Sequence, residues 1–436
     1  MAVDAADSRR SRWQPIPHSL PSKVSFPSGS IDQGRQRGGI ESAIPRPLQA
    51  DTSTDFLIIG AGFSGLVIAE RLASAGWKCA VVDRRAHFGG NAHDRIDPAG
   101  VLIHPYGPHY FRTNSPRIVD YLSRFTAWHE VSYKINSHTR GRYWSFPINL
   151  NTFEEYLGRA STSEEFSTWL EQTRVPIDNP QNSEEVIISQ VGRELYELFF
   201  EGYTLKQWKR HPRELDASVC GRIPVRTNRD DRYLSETFQA LPANGYTAMF
   251  ENLLAATPGI DLRLGMDFKE AKARWNCKHL VFTGAIDEYY ERRFGPLPYR
   301  SLRFEHESFD AEQLRRRDAI SGKSGFWQPA MQVNYPDAET PFTRIVEIKH
   351  ATGQNIAAST ILREFPKDWT PADEPFYPVP APAARAAYQR YAALAVNEPN
   401  TSFIGRLATY RYYNMDQVTA MALTEADKLL ARYGSP

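Results

Sequence analysis

The feature that most constrains the fold is a glycine-rich turn within residues 55–65, DFLIIGAGFSG. The apolar run before the turn, residues 56–59, is typical of a parallel strand buried on both faces. Glycines at GxGxxG spacing then allow a tight turn, close approach of the backbone to a pyrophosphate and close packing of the next helix. The turn therefore predicts a dinucleotide site that includes Gly60, Gly62, Ser64 and Gly65.

A second apolar strand, residues 79–83, ends at the carboxylate of Asp83. Its position, about twenty residues after the turn, is where a dinucleotide fold binds ribose hydroxyls. Apolar residues at helical spacing lie between the two strands and complete a βαβ unit. The next segment, residues 84–91, has a second glycine pair and resembles the FAD-binding oxidoreductases, so FAD is favoured over NAD. The expected cofactor contacts here are Asp83, Arg84, Gly89, Gly90 and Asn91.

Patterning divides the chain into four segments. Residues 1–54 predict a disordered N-terminal extension that lacks the apolar centre of a signal peptide. Residues 55–152 predict a Rossmann-like FAD-binding segment, and residues 153–232 predict an inserted helical domain. Residues 233–436 predict a β-sheet region followed by the return of the FAD-binding domain. The expected fold class is α/β, with a Rossmann-like parallel sheet, the helical insertion and an additional antiparallel sheet region.

Composition excludes several classes of partner. Lysine plus arginine, 52 residues, nearly balance aspartate plus glutamate, 51 residues, so no global field draws the chain to nucleic acid or to an acidic membrane surface. No apolar run approaches the ~18 residues of a membrane span. The three cysteines, Cys79, Cys220 and Cys277, lack the spacing of a zinc site. We expect a cytoplasmic protein without a metal, a membrane partner or a nucleic-acid partner.

Eight later segments resemble the bacterial UDP-galactopyranose mutases in order and spacing. They are IHPYGPHYFRTN (103–114), FPINLNTF (146–153), GYTLKQW (202–208), GRIPVR (221–226), PANGYT (242–247), YRSLRFE (299–305), DEPFYPV (373–379) and GRLATYRYYNMDQV (405–418). The resemblance covers about residues 55–432, which is nearly everything after the N-terminal extension.

This resemblance implies an FAD-dependent isomerase that interconverts UDP-galactopyranose and UDP-galactofuranose. In the family, N5 of the reduced flavin attacks the anomeric carbon and expels UDP. The sugar ring opens through an iminium, recloses as the furanose and recombines with UDP, without net redox change. The resemblance also implies reduced FAD as the active form, a UDP-sugar substrate, a homodimer and an external reductant such as NAD(P)H. It further implies a mobile substrate lid within residues 153–232 and a substrate-binding role for the later β-sheet region.

The matched motifs assign roles to individual residues. Guanidinium groups stabilise the charge that develops on the leaving diphosphate, and Arg222 and Arg300 match the family's two diphosphate arginines. Trp208 matches the tryptophan that stacks on uracil, and His109 matches the histidine beside the flavin. The expected catalytic residues are therefore His109, Arg222 and Arg300. The remaining expected substrate contacts are Tyr203, Thr204, Tyr233 and Tyr412, and the remaining cofactor contacts are Tyr110, Arg406, Tyr413, Met415 and Gln417.

Five positions depart from the family pattern. Arg112 stands where a second histidine is usual, and Phe342 replaces a tyrosine in a P-Y-T-R pattern, which removes a hydroxyl donor. Asn414 replaces an aspartate, Asp416 replaces a histidine, and Tyr133 aligns with an asparagine near the nucleotide. None of these changes removes the expected nucleophile, because the cofactor supplies it.

Three alternatives remain open at this point. The departures permit a mutase for a related sugar nucleotide, such as one with a deoxy- or N-acetyl-sugar. The segment from Gly60 to Asn91 also permits an FAD oxidase or desaturase, although the paired arginines and Trp208 would then have no purpose. The last alternative is a non-catalytic protein that binds nucleotide without ring contraction.

Overall fold

The computed structural model describes residues 52–436. The expected N-terminal extension, residues 1–54, lies outside the described residues except for its last three, which belong to the first strand. No helix within residues 52–436 combines the length and the apolar character needed to cross a bilayer. In the same part of the chain, no group of three or more His, Cys, Asp or Glu side chains is placed to hold a metal ion.

The strands, in chain order, are β1 Thr52–Ile59, β2 Cys79–Asp83, β3 Arg95–Ile96, β4 Leu102–Ile103, β5 Phe111–Thr113, β6 Trp128–Glu130, β7 Ile135–Thr139, β8 Arg142–Phe146, β9 Phe238–Pro242, β10 Ile260–Leu264, β11 Trp275–Phe282, β12 Tyr299–Phe309, β13 Gln332–Asn334, β14 Arg344–Val346, β15 Ser359–Asp368, β16 Tyr377–Pro378 and β17 Thr401–Phe403. The α-helices are α1 Phe63–Ser74, α2 Pro116–Ser123, α3 Leu150–Leu157, α4 Ser163–Thr173, α5 Ser183–Tyr196, α6 Gly202–Trp208, α7 Ser218–Gly221, α8 Gly245–Ala255, α9 Phe268–Arg274, α10 Ile286–Tyr289, α11 Ala311–Arg315, α12 Asp318–Ser321, α13 Lys349–Thr352, α14 Pro382–Ala395, α15 Gly405–Ala408 and α16 Met415–Tyr433.

A parallel sheet of five strands carries the nucleotide fold, in the order β10-β2-β1-β11-β17. Successive residues of β1 point to opposite faces, and both faces are covered. Phe56 and Ile58 pack in one core cluster with residues of α1 and α16, whereas Leu57 and Ile59 pack in another with residues of α9 and β11. The α/β class with a Rossmann-like parallel sheet, predicted from the sequence, is confirmed.

Helices α3 to α7 follow one another between β8 and β9. Helices α4 to α7 lie within residues 153–232, the segment that the sequence predicts as a helical insertion, whereas α3 begins three residues earlier, at Leu150. Side-chain caps explain where α3, α4 and α5 begin. The Asn182 side chain accepts a hydrogen bond from the backbone N of Glu185 at 3.0 Å, and Thr162 caps α4 in the same way. A single π-helical turn, Glu197–Glu201, joins α5 to α6.

A second sheet has seven strands in the order β16-β12-β15-β14-β13-β7-β8. Its neighbouring strands are antiparallel except for β13 and β7, which are parallel. This sheet joins strands from both sides of the helical segment, because β7 and β8 precede the helices and the other five follow them. It is the antiparallel sheet region that the sequence predicts.

A buried carboxylate fixes α1 against α2. Glu70 lies in the middle of α1 and is 0% exposed. It accepts hydrogen bonds from the Tyr121 hydroxyl at 2.8 Å, the Arg124 guanidinium at 3.0 Å and the Ser74 hydroxyl at 3.0 Å. These bonds offset the cost of removing the charge from water.

Removing this carboxylate should destabilise the fold. We expect Glu70→Ala to lower the free energy of unfolding by about 3 kcal/mol, because it leaves the buried Tyr121 hydroxyl without an acceptor. Glu70→Gln, which keeps an acceptor, should cost less. The matched control is Glu312→Ala, since Glu312 also pairs with an arginine, Arg316, but both side chains are more than 60% exposed. That control should change stability by less than about 0.5 kcal/mol. Urea unfolding followed by circular dichroism gives the comparison, and equal losses in Glu70→Ala and Glu312→Ala would contradict it.

Candidate functional site

A cavity of about 600 Å³ opens at the carboxyl ends of β1, β2 and β11. This edge is where parallel α/β sheets bind their ligands. The cavity is lined by the glycine turn after β1, by Asp83 and by Phe268, and its lining also includes His109 and Arg406. The volume falls in the range of about 300–1,000 Å³ that is typical of small-molecule sites.

Two glycines of the turn are required by close contact. Gly60 has a φ of +104°, and a Cβ built there would lie 2.0 Å from the Thr283 hydroxyl oxygen. A Cβ on Gly65 would lie 1.8 Å from the Gly60 carbonyl oxygen, so only glycine lets α1 approach β1 this closely. Helix α1 begins at Phe63 beside the cavity, and its free N–H groups form a positive helix end for a phosphate. Gly60, Gly62 and Ser64 line the cavity.

The Asp83 carboxylate is held in the cavity wall by the backbone. One oxygen accepts a hydrogen bond from the backbone N of Ala61 at 2.8 Å, and the other accepts one from the backbone N of Arg85 at 2.9 Å. Each carboxylate oxygen has a second lone pair, so Asp83 can still accept hydrogen bonds from ribose hydroxyls. This arrangement matches the expected role of Asp83.

The glycine pair after β2 forms the adjacent wall of the cavity. Gly89 and Gly90 have φ values of +89° and +59°, and a Cβ on Gly90 would lie 3.1 Å from the Gly62 Cα. Arg84 lines the cavity and forms an ion pair with Glu374 at 2.7 Å. Asn91 also lines the cavity, and its side-chain oxygen accepts a hydrogen bond from Arg85 at 2.9 Å.

His109, which also lines the cavity, is held in a defined tautomer. Its Nδ1 lies 3.0 Å from the Gly107 carbonyl oxygen, which can only accept, so Nδ1 carries the proton and Nε2 keeps its lone pair. Burial, together with the neighbouring His104, lowers the pKa of His109 to about 3. His109 is therefore neutral at pH 7. The backbone N of His109 donates to Nδ1 of His104 at 3.1 Å, which fixes the turn.

The start of α16 and the residues just before it form another part of the cavity wall. Arg406, Tyr413, Asn414 and Met415 all line it, and the Arg406 guanidinium donates to the Tyr413 carbonyl at 3.2 and 2.6 Å. Gln417, an expected cofactor contact, is exposed and lies outside the lining residues. Its side-chain oxygen accepts from the backbone N of Asn414 at 2.9 Å, so it caps α16 instead.

A second group of residues, which we call the arginine–tyrosine cluster, includes and surrounds Arg406. Its members are Arg222, Arg344, Arg406, Tyr203, Tyr377 and Tyr412. The Tyr412 ring lies 5.0 Å from the Arg222 guanidinium carbon and 5.2 Å from that of Arg406. Tyr377 stacks on Tyr412 at 5.5 Å, and the Trp208 ring lies 6.4 Å from Tyr377. Since Arg406 also lines the cavity, the cluster and the cavity adjoin each other.

Arg344 is a residue that the sequence analysis missed. It donates to Glu364 at 2.7 Å and to Gln332 at 3.2 Å, whereas its Nε is buried without a partner among residues 52–436. Burial opposes the charged form of Arg344, but the charges of Glu364, Tyr203 and Tyr377 raise its pKa well above the usual range. The available signal was the P-F-T-R segment, residues 341–344, in which only Phe342 was considered. Tyr377 was also missed, although it stands in the quoted DEPFYPV motif.

Three arginines and one carboxylate, Glu364, leave the cluster with an excess of positive charge. Its effect is visible in Tyr412. Burial raises the pKa of this phenol, but attraction from Arg222, Arg406 and Arg344, with a hydrogen bond from Arg222, outweighs burial and lowers the pKa to about 8. Tyr412 is 42% exposed, so salt should weaken this attraction. The cluster is suited to an anion.

Arg300, an expected diphosphate ligand, uses much of its guanidinium within the protein. It forms an ion pair with Asp368, and its Nε donates to the Gln207 carbonyl at 3.1 Å. Its Nη2 is buried without a partner among residues 52–436. Arg300 therefore holds the end of α6 beside Trp208 and keeps one nitrogen for a ligand, and its role at the diphosphate stays a prediction.

Four other expected contacts are placed as follows. The Thr204 hydroxyl is buried against the Cys220 sulfur at 3.6 Å, outside the residues that line the cavity. Tyr233 packs edge-on against Tyr133 at 5.6 Å. Tyr110 stacks on Tyr133 at 4.8 Å, and its hydroxyl is buried without a partner among residues 52–436. Gly65 supports the turn by its packing and does not line the cavity.

Of the five departures from the family pattern, only Asn414 lines the cavity. Phe342 packs against Tyr335 at 4.9 Å and Phe365 at 5.8 Å. Arg112 forms an ion pair with Glu236 at 3.3 Å, and it also lies near Asp416. The Tyr133 hydroxyl donates to the Gln332 side chain at 2.6 Å.

Comparison with known proteins gives one consistent answer. The sequence profile of UDP-galactopyranose mutase matches residues 198–412, and that of an NAD(P)-binding Rossmann-like domain matches residues 58–125. The chain is 35% identical to a probable UDP-galactopyranose mutase of Klebsiella pneumoniae, over 86% of this chain and 95% of that protein. It is 36% identical to a dTDP-fucopyranose mutase of Escherichia coli, over 83% of this chain and 94% of that protein.

The fold comparison agrees with these sequence matches. A crystal structure of reduced UDP-galactopyranose mutase superimposes with a TM-score of 0.69 at 16% identity, over 87% of this chain and 94% of that chain. The cavity and the Rossmann-like match together support a flavin cofactor. Because relatives above 30% identity span more than four fifths of this chain and nearly all of their own length, the chain belongs to the UDP-galactopyranose mutase family of isomerases.

Proposed function

We propose that this protein interconverts the pyranose and furanose forms of UDP-galactose with FAD in its reduced state. The observation that carries the proposal is the contact between two sites: Arg406 lines the dinucleotide cavity and also belongs to the arginine–tyrosine cluster. A sugar diphosphate held by the cluster would therefore lie next to Arg406, in the wall of the cavity that we assign to the cofactor.

The residues of the cavity fit FAD. The N-terminus of α1 and the Gly60–Gly65 turn accommodate the pyrophosphate, and Asp83 accepts hydrogen bonds from the ribose. When bound and reduced, FAD supplies the nucleophile for the anomeric carbon without net redox change. The positive charge of Arg406, held by the Tyr413 carbonyl, favours an anionic reduced ring.

The cluster binds the diphosphate. Arg222 and Arg344 approach from different elements, the segment after α7 and strand β14, so a diphosphate can be held between them. The orphaned Nε of Arg344 is a buried donor that a phosphate oxygen would satisfy. Trp208 offers a ring face for the uracil, and the phenols of Tyr203, Tyr377 and Tyr412 donate to phosphate or sugar oxygens.

His109 acts as a neutral imidazole beside the ring. With Nδ1–H donated to Gly107, its Nε2 lone pair is an acceptor for an N–H or O–H group in the cavity. A pKa near 3 means that it does not take the proton permanently at pH 7, so it orients the group and accepts its hydrogen bond.

A second candidate is a mutase for a 6-deoxy sugar nucleotide. The identity to the dTDP-fucopyranose mutase, 36%, differs by one percentage point from that to the probable UDP-galactopyranose mutase, 35%, so sequence similarity alone does not choose between them. The Asn414 departure lies in the cavity wall, next to Tyr413 and Met415. Both candidates use the same residues for the diphosphate and differ in the sugar.

The central test is a turnover assay. We expect dithionite-reduced, FAD-loaded protein to convert UDP-galactofuranose to UDP-galactopyranose, followed by chromatography, at about one per second or faster. The same assay with dTDP-fucofuranose tests the second candidate, and the ratio of kcat/KM values decides between them.

Two controls separate a mutase from an oxidase or a binding protein. A mutase consumes no reductant and no oxygen in proportion to product, whereas an oxidase consumes oxygen for each turnover. A protein that binds UDP but converts neither sugar nucleotide would exclude both mutase candidates.

Arg344 should contribute more to substrate binding than its absence from the expected site suggests. We expect Arg344→Lys to lower kcat/KM by about 10- to 100-fold, because a lysine keeps the charge but loses the planar fork that grips phosphate and Glu364 together. FAD absorbance should be unchanged. Arg317→Lys is the matched control, since Arg317 donates to the Trp327 carbonyl at 3.0 Å and packs on the Trp327 ring outside the cavity lining. Equal kcat/KM in the two variants would argue against Arg344 as a diphosphate ligand.

Tyr412 gives a pH dependence of substrate binding. Its pKa, lowered to about 8, means that the phenol is neutral at pH 7 and largely a phenolate at pH 9. A phenolate repels the diphosphate and neutralises Arg222, so we expect KM to rise about tenfold between pH 7 and pH 9. In Tyr412→Phe this component should vanish, and the difference between the two KM profiles isolates it. Parallel profiles would show that Tyr412 does not titrate in this range.

A further inference from the structure

The ammonium group of Lys206 lies in a cup of backbone carbonyls. Its Nζ donates to the carbonyls of Asp337, Thr340 and Phe342, each at 3.0 Å, and to that of Tyr335. All four belong to the connection between β13 and β14, residues 335–343, which we call the β13–β14 loop. An ammonium has three protons, so at least one proton is shared between two carbonyls.

A second contact on the same face of α6 reinforces this docking. Gly202 lies four residues before Lys206, and positions i and i+4 share one face of a helix. A Cβ on Gly202 would lie 2.3 Å from the Pro336 carbonyl oxygen, so the backbone of α6 rests directly on the loop. The helix therefore contacts the β13–β14 loop at both of its turns.

These contacts connect the elements that carry two members of the arginine–tyrosine cluster, Tyr203 and Arg344. Helix α6 carries Tyr203 and ends at Trp208, whereas the β13–β14 loop leads directly into Arg344. The Phe342 carbonyl that accepts a hydrogen bond from Lys206 is only two residues before Arg344. The Lys206 ammonium therefore connects the helix that carries Tyr203 to the loop that precedes Arg344.

The lysine is charged where it acts. Burial lowers the pKa of Lys206 to about 8, while the neighbouring charges of Asp337 and Glu339 oppose that shift. At pH 7 most of the population therefore carries the proton.

We propose that Lys206 is a positioning residue for the substrate diphosphate, which holds the Tyr203 helix and the Arg344 strand at the spacing that binding requires. This inference rests on the proposed function. Lys206 is not among the residues that line the cavity, and we infer that its effect on binding is transmitted through the β13–β14 loop.

A purely structural lysine would behave differently, and the chain offers a matched comparison. Lys349 also donates from its ammonium to backbone carbonyls, those of Gly325 at 2.9 Å and Ile356 at 2.7 Å, and its side chain is buried whereas that of Lys206 is half-buried. It lies on α13, outside the cavity lining and the cluster. Lys206→Met and Lys349→Met each remove an ammonium from backbone carbonyls. Only Lys206 lies between the helix that carries Tyr203 and the loop that precedes Arg344.

The test compares these variants as FAD-loaded protein at pH 7. For Lys206→Met we expect the dissociation constant of UDP and the KM for UDP-galactofuranose to rise about tenfold, with kcat within about twofold of wild type. Amide hydrogen exchange should increase in peptides covering residues 202–208 and 335–343. For Lys349→Met both binding constants should stay at wild-type values, even where the melting temperature falls.

Chemical rescue provides a second variant. Lys206→Ala removes three carbons and the nitrogen, so propylammonium chloride can occupy the vacated space and donate to the same carbonyls. We expect propylammonium to lower the KM of this variant toward the wild-type value. Tetramethylammonium, which has the same charge but no N–H donor, should not.

The outcomes separate the two proposals. Equal UDP affinity in Lys206→Met and Lys349→Met, or a fall in kcat without a rise in KM, would overturn the positioning role. A wild-type protein that binds neither UDP nor dTDP would overturn the proposed function itself, while the hydrogen-exchange comparison would still report whether Lys206 holds the helix to the loop.

Discussion

The ion pair between Arg344 and Glu364 is the interaction on which the substrate side of this protein depends. Glu364 is fully buried, and its second oxygen has no partner among residues 52–436. An unpaired carboxylate at that depth would be costly, so Arg344 is held in place by the charge that it neutralises. Glu364 also lies against the turn before His109, since a Cβ on Gly107 would be 3.3 Å from its oxygen. This one ion pair therefore joins the antiparallel sheet, the turn before His109 and the arginine–tyrosine cluster.

The nucleotide half of the site could be predicted from the sequence because its determinants are local. Gly60, Gly65 and Asp83 lie within one βαβ unit, and the spacing of the glycines and the carboxylate follows from the geometry of that unit. The structure brings these residues together at one edge of the sheet. Helix starts such as Asn182 were predictable for the same reason, because a cap and its helix are neighbours in the chain.

The substrate half could be predicted only in part, because its contacts join residues far apart in the sequence. Arg222 meets Tyr412 across 190 positions, and Arg344 is paired through the register of β14 with β15. Motifs identified Arg222 and Tyr412 but not Arg344, whose importance becomes visible only when its partners are known. Gln417 shows the opposite case: its motif suggested a cofactor contact, but the capping of α16 uses its side chain.

The departures from the family pattern gain meaning from where they lie. Phe342 and Tyr133 lie outside the cavity lining. Arg112 and Asp416 each stand where the family has a histidine, and they lie near each other. Arg112 also forms an ion pair with Glu236. These changes compensate one another in charge, so they need not alter the reaction. Asn414 differs, because it lines the cavity beside Arg406 and carries no charge where the family has an aspartate. Loss of that negative charge leaves Arg406 more strongly positive toward a bound anion. Asn414 is therefore the one of the five departures that lies in the cavity wall, next to the Tyr413 carbonyl that holds Arg406.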